Sequence, residues 1–223
     1  MGIGVICDAA DDAATARVFE QIMDEQGQLD ILFNNAAYIH HQLIEPKPFW
    51  EKEVDAMKIL DVGLRSAYVA SWHAAKIMAA QKSGLIAFGS SFGGTCYMHG
   101  AAYGAQKAGL DKFANDMAVD LEPFNVQAVS IWMGPLKTER ALQAAEVHPE
   151  QYEEFMAIAE NPEFTGHIVH ALASDPEAQE HSGKVLIGAE IAQHYGIKDE
   201  GREPPSYREM LGSPPEFSEA KVY

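Results

Sequence analysis

The sequence predicts an α/β fold: a Rossmann-like, doubly wound parallel sheet in three αβα layers. Three observations lead there. Short, continuous apolar runs alternate with longer helical patterns, as in a parallel sheet covered by helices. The chain has 223 residues, enough for one sizeable core. Apolar residues make up 47% of it and charged residues 22%, a globular composition and not a disordered one.

In chain order, the expected strands are Ile3–Cys7, Leu29–Phe33, Leu85–Phe88, Val126–Trp132 and Lys184–Ile187, each apolar throughout as strands buried on both faces are. Leu64, Tyr68, Trp72, Ala75 and Met78 recur every three or four residues, so Gly63–Ala80 reads as an amphipathic helix. Leu110, Phe113, Ala114, Met117 and Leu121 repeat the pattern in a helix that Pro123 closes. Residues Glu139–Glu160 read as helical with a break at His148-Pro149. Residues 1–195 are expected to form one domain. From Gly196, with Pro204-Pro205 and Pro214-Pro215, residues 196–223 read as an extended, weakly packed tail.

The bulk charge excludes several functions. A net charge of −17 repels phosphate backbones and anionic lipid, so neither nucleic acid nor a membrane surface is an expected partner. The apolar stretch at 67–80 is interrupted by His73 and Lys76 and is too short to span a bilayer. No basic segment opens the chain, so no secretory signal is expected. Two cysteines, Cys7 and Cys96, read as free thiols of a cytoplasmic protein. Among the nine histidines, His40 and His41 are adjacent and expected to face apart on a loop, and His167 and His170 lack a partner at ligand spacing. No metal site is expected.

The chemistry concentrates in Gly89-Ser90-Ser91-Phe92-Gly93-Gly94 and in Tyr103-Gly104-Ala105-Gln106-Lys107. A helix stacks Tyr103 and Lys107 on one face. A phenol near its usual pKa of ~10 is a poor acid–base catalyst at neutral pH, and a neighbouring ammonium lowers that pKa. A serine hydroxyl reaching the same point can orient a substrate oxygen. Tyr-x-x-x-Lys alone fits equally a buried tyrosine beside a snorkelling lysine. Phe92, Tyr97, Trp132 and Met133 fit either a substrate pocket or plain core.

The ordered set is more specific. Asn34-Asn35-Ala36-Ala37 follows one strand, Gly89-Ser90-Ser91 the next, Tyr103 comes thirteen residues after Ser90, and Thr138 follows a third strand. Each falls at the C-terminal end of a strand or on the helix after it, where open α/β sheets bind ligands. This order resembles the classical short-chain dehydrogenase/reductase superfamily over about Gly4–Gly196. Asp61-Val62-Gly63-Leu64-Arg65-Ser66, with Gly183–Leu186 and Tyr195-Gly196, is similar to the subgroup of dehydrogenase/reductase family member 1. The resemblance implies a carbonyl–alcohol oxidoreductase using NAD or NADP on a small-molecule substrate. Tyr103 would be the acid and base, Lys107 would lower its pKa and hold the nicotinamide ribose, and Ser90 would bind the substrate oxygen. Ser91 is the lesser candidate, its spacing to Tyr103 being one short. Asp8 would contact the adenine, Asn35 and Ala36 the adenosine ribose, and Leu136 and Thr138 the carboxamide. The helices at 63–80 and 103–121 would pack across a homo-oligomer interface.

Four departures qualify the resemblance. Asp61 stands where an asparagine usually holds a water; its charge would pair with Lys107, unless Asp61 merely caps the helix beginning at Val62. Ala37 and Met133 replace a usual glycine and proline. Gly2-Ile3-Gly4 precedes a strand instead of linking strand to helix, the context a phosphate loop requires. The chain therefore reads as truncated at its N-terminus, binding coenzyme weakly and turning over little by itself, with Ile3–Cys7 either paired to Leu29–Phe33 or loose at the edge. Two other readings stay open. One is a catalytically inactive remnant, a pseudoenzyme or dimerising module. The other is a sugar-nucleotide enzyme of the extended branch, for which the chain after Lys107 is short.

Overall fold

In the computed structural model, which describes residues Gly2–Val222, strand pairing begins later than the apolar runs do. Four strands form one parallel sheet in the order β1 (Ile31–Asn34), β2 (Gly84–Ser90), β3 (Val126–Trp132) and β4 (Val185–Ile187). The register sets Ile86 beside Ala128 and Ser90 beside Trp132, and Ile131 beside Leu186.

Alternation along the strands sends successive side chains to opposite faces. Ile86, Phe88, Val126 and Ala128 pack against three helices: α1 (Asp12–Gln26), α2 (Ser66–Gln81) and α3 (Ala101–Leu121). Leu85, Ala87, Val129 and Ile131 face the other way. Between β3 and β4 lie α4 (Glu139–Val147), α5 (Pro149–Ile158) and α6 (Pro162–Ser174). Helix α7 (Gly188–His194) follows β4. Phe164 and Ile168 of α6 and Ile191 of α7 cover the second face. Both faces are therefore covered, which is why the strands read as unbroken apolar runs.

Local chemistry sets the helix ends. Asp11 caps α1, its Oδ1 accepting from the amides of Ala13 and Ala14, and Gly27 closes the helix in the left-handed region. Helix α2 is entered through a break at Val62 and Gly63; Gly63 takes φ +138° and its carbonyl accepts from buried Gln106. His148-Pro149 separates α4 from α5 as expected. Among the described residues, no helix is long and apolar enough to cross a membrane.

Three expectations need correction. Ile3–Cys7 is not a strand: it makes no ladder, and Ile3 and Ile6 are 67% and 103% exposed. Apolar residues stay extended in water when no neighbouring strand satisfies their backbone. The tail is extended over most of its length but is not loosely held. It carries a short helix, Arg208–Leu211, and Tyr207, Leu211 and Phe217 pack on the cluster of Phe92 and Trp132. Arg208 pairs with Glu190, and buried Asp199 with Arg202. His40 and His41 do not face apart. Their rings lie 4.2 Å apart, with Nε2 of each 3.6 and 3.4 Å from the Glu53 carboxylate. Together the three residues could hold an ion. However, Nδ1 of His40 accepts the Gln42 amide at 3.2 Å, so a neutral ring carries its proton on Nε2 and donates it towards Asp55 at 3.1 Å. That arrangement is a hydrogen-bonded buried histidine. Cys7 and Cys96 are free thiols.

Candidate active site

The site forms where β2 ends and α3 begins. Ser90 is the last residue of β2, and the alternation of the strand turns it inward. Its hydroxyl donates to the Lys107 carbonyl at 3.3 Å. Ser91 has left the strand and faces Tyr103, with its Oγ 2.9 Å from the phenol oxygen. The structure thus brings Ser91, the lesser candidate by spacing, to Tyr103 and leaves Ser90 beneath the helix. Counting residues missed this because the chain turns between the two serines. Gly93 makes room for the ring, since a Cβ there would stand 2.6 Å from Tyr103 Cε1.

Tyr103 and Lys107 lie one turn apart on α3 and share a face, with Lys107 Nζ 5.4 Å from the ring centre. The lysine donates to the Gly89 carbonyl at 3.0 Å and does not bond to the phenol. Burial pushes Lys107 down to about 8, opposed by the charge of Asp111. Burial also raises the Tyr103 pKa, while the Ser91 hydrogen bond works to lower it and Cys96 adds to the rise. In this state the Lys107 ammonium is held at Gly89 and not at the phenol.

Asp111, which sequence reasoning missed, continues the stripe of Tyr103 and Lys107 at the same spacing of four; that spacing was the signal. It is buried, accepting from Ser130 Oγ at 2.6 Å and from Trp132 Nε1 at 3.0–3.1 Å. Burial pushes it up to about 6, against the hydrogen bonds of Ser130, Ser90 and Trp132.

The remaining candidates divide. Asn35 and Ala36 are exposed after β1, and Asn35 Oδ1 stands 2.8 Å from where a Gly89 Cβ would be, on the same sheet edge. Thr138 caps α4, its Oγ1 accepting from Ala141 at 3.2 Å, and Leu136 bridges to Glu160. Asp8 is exposed just before a turn at Ala9-Ala10, its Oδ1 accepting from Ala10 at 2.9 Å; without a strand it is not held at the sheet. Asp61 is exposed within the helical stretch before the Gly63 break. Its charge acts on Arg65, and it neither pairs with Lys107 nor serves as an N-cap.

Phe92, Trp132 and Met133 are buried core, whereas Tyr97 is 86% exposed. A cleft of about 350 Å³, lined by Phe49, Trp50, Tyr97 and Met98, opens beside the first turn of α3. The His99 ring meets the Tyr103 ring edge-on at 5.0 Å.

Residues 2–187 match the family model described as Enoyl-(Acyl carrier protein) reductase. Over 218 residues the chain is 38% identical to Dehydrogenase/reductase SDR family member 1 of Mus musculus, covering 92% of this chain and 69% of that protein. A solved short-chain dehydrogenase/reductase of Serratia marcescens superposes with a TM-score of 0.68 at 29% identity, covering 82% of this chain and 73% of that one. ElxO with NADP bound superposes at 0.71 with 19% identity, covering 81% and 73%, and is similar in fold.

Proposed function

The chain belongs to the short-chain dehydrogenase/reductase family of oxidoreductases, and from that premise we propose that it interconverts a small carbonyl compound and its alcohol with NAD(H) or NADP(H). The observation that carries this reading is the 2.9 Å contact between Ser91 and Tyr103, one helical turn from Lys107.

The nicotinamide-riboside end of such a coenzyme fits the residues present. Lys107 uses one N–H on Gly89 and has two more for ribose hydroxyls. Asn35, Ala36 and the loop carrying Leu136 and Thr138 border the same sheet edge. ElxO, with its bound NADP, supports a nicotinamide coenzyme but does not choose between the two forms. The diphosphate finds less: among the described residues, Gly2 and Gly4 lie in an exposed segment, and the start of α1 presents Asp11 and Asp12, which repel phosphate.

When bound, the coenzyme supplies or accepts the hydride. Tyr103 gives its proton to the substrate oxygen in reduction and takes one back in oxidation. Ser91 donates to the same oxygen and fixes its direction. Because burial raises the Tyr103 pKa, the phenol carries its proton at neutral pH, which suits donation. The base role needs the phenolate, so it depends on Lys107 keeping a charge that is lost as pH rises through about 8. Half-exposed Tyr68 and Trp72 on α2 support a homo-oligomer through α2 and α3. The two free thiols support a cytoplasmic setting.

The poor fit of the diphosphate favours a second reading, a folded but inactive member. Fluorescence titration of the 223-residue chain with NADH and NADPH separates the two. Our reading expects saturable binding weaker than low-micromolar, with coenzyme-dependent reduction at saturation. No binding of either coenzyme would favour the inactive reading; a low-micromolar constant would contradict our account of the diphosphate.

A further inference from the structure

Glu160 is 1% exposed, and its Oε2 is buried without a hydrogen-bond partner. Its backbone holds the loop after β3 from both sides: Glu160 N–H donates to Pro135 O at 2.7 Å and Lys137 N–H donates to Glu160 O at 2.9 Å. Its side chain reaches the same loop, where a Cβ on Gly134 would overlap the carboxyl; glycine there admits it. The other wall is the C-terminal segment. Arg202 lies there, but its guanidinium bonds Asp199 at 2.8 Å and the carbonyls of Ala159 and Ala157 at 2.9 and 3.1 Å. Asp199 in turn accepts from the amide and side chain of Asn161 at 3.2 and 2.7 Å. Among the described residues, no cation lies within ion-pair reach of Glu160. Tyr207, held at φ +58°, has a hydroxyl that is also buried without a partner, and the charge of Glu160 acts on it.

A buried carboxylate with no cation and an unsatisfied oxygen is strongly disfavoured, whereas the neutral acid is tolerated and can donate. We propose that Glu160 is a positioning residue that, as a neutral acid, holds the Gly134–Thr138 loop against the coenzyme and completes a buried polar site with Tyr207. The role rests on the proposed placement of that loop at the nicotinamide end. Burial pushes Glu160 up to about 7, with the charge of Asp199 adding to the rise and the Gly134 amide and Arg202 opposing it. The folded carboxyl thus keeps its proton up to about 7, and the unfolded one loses it near 4.5. Glu160 therefore lowers stability progressively as pH rises between those values, and the loss levels off above.

Glu160→Gln keeps the shape and removes the ionisation. Thermal unfolding of both proteins from pH 5 to 8.5 reads this without coenzyme. The melting difference should move in favour of the variant by roughly 4 °C or more across that range; Lys107 and Asp111 titrate in both proteins and cancel, and Tyr207, raised above the ordinary phenol value, keeps its proton throughout. Titration with NADH or NADPH should show wild-type affinity falling at least about fivefold further than the variant's over the same range, the Lys107 titration being common to both. Parallel melting curves, or a variant that fails to fold or melts below wild type at pH 8.5, would overturn the neutral acid. A melting difference without coenzyme binding by either protein would instead sink the placement of the loop, and with it the positioning role.

Discussion

The middle of the sheet and the first residues of the chain are both rich in β-branched and large apolar side chains, yet they end in opposite states. Phe88, Ile131 and Trp132 are fully buried between two helical layers, whereas Ile6 lies wholly in water. The difference is pairing. Strands β2 and β3 share seven register positions, and each has helices to cover it, while residues 2–8 have neither. The contrast extends to function. Ser91, Tyr103, Lys107 and Asp111 all stand on or beside β2 and α3, and so share the rigidity of the centre. Asp8 hangs on the segment that lacks it. The residues we propose for proton handling thus stand on well-packed elements, and Asp8 does not.

The sharpest way to break this comparison is a pair of truncations. Phe88→Ala should destabilise the chain by about 3–5 kcal/mol, the usual cost of deleting a buried ring. Ile6→Ala should stay within about 0.5 kcal/mol, as exposed positions do. Chemical denaturation of both variants checks this, and a comparable loss at Ile6 would mean that the N-terminal segment is packed in solution. A smaller effect separates the two serines. Ser91→Ala should lower turnover by roughly 10²-fold, in the range of a lost acid–base partner, with little change in melting temperature. Ser90→Ala should leave turnover within a few-fold and cost about 1 kcal/mol of stability, because its hydroxyl bonds inside the fold. The reverse pattern would restore Ser90 to the role its spacing suggested.

Much of this was legible in the sequence where local pattern and tertiary structure agree. Val126–Trp132 is a strand from end to end, Pro123 follows α3, and the spacing of four puts Tyr103 and Lys107 on one face. Ile3–Cys7 misled because apolar composition reports a preference for pairing and not the presence of a partner. The Ser90–Ser91 choice depends on where β2 stops, and a one-residue difference there exchanges inside for outside. Glu160 was out of reach of pattern reading: Gly134 beside its carboxyl, and Asp199 and Arg202 whose charges act on it, come from segments far apart in the chain. His40 and His41 meet Glu53 and Asp55 from the start of the short helix Val54–Met57, more than ten residues on in the chain.

In the mechanism we propose, Tyr103 handles the substrate proton. The direct measurement is the carbonyl-reduction rate of Tyr103→Phe against wild type at saturating coenzyme, with coenzyme affinity measured on both. Turnover should fall by about 10²-fold or more with affinity nearly unchanged, the loss expected when a general acid is removed. Retention of more than about a tenth of the wild-type rate would contradict it.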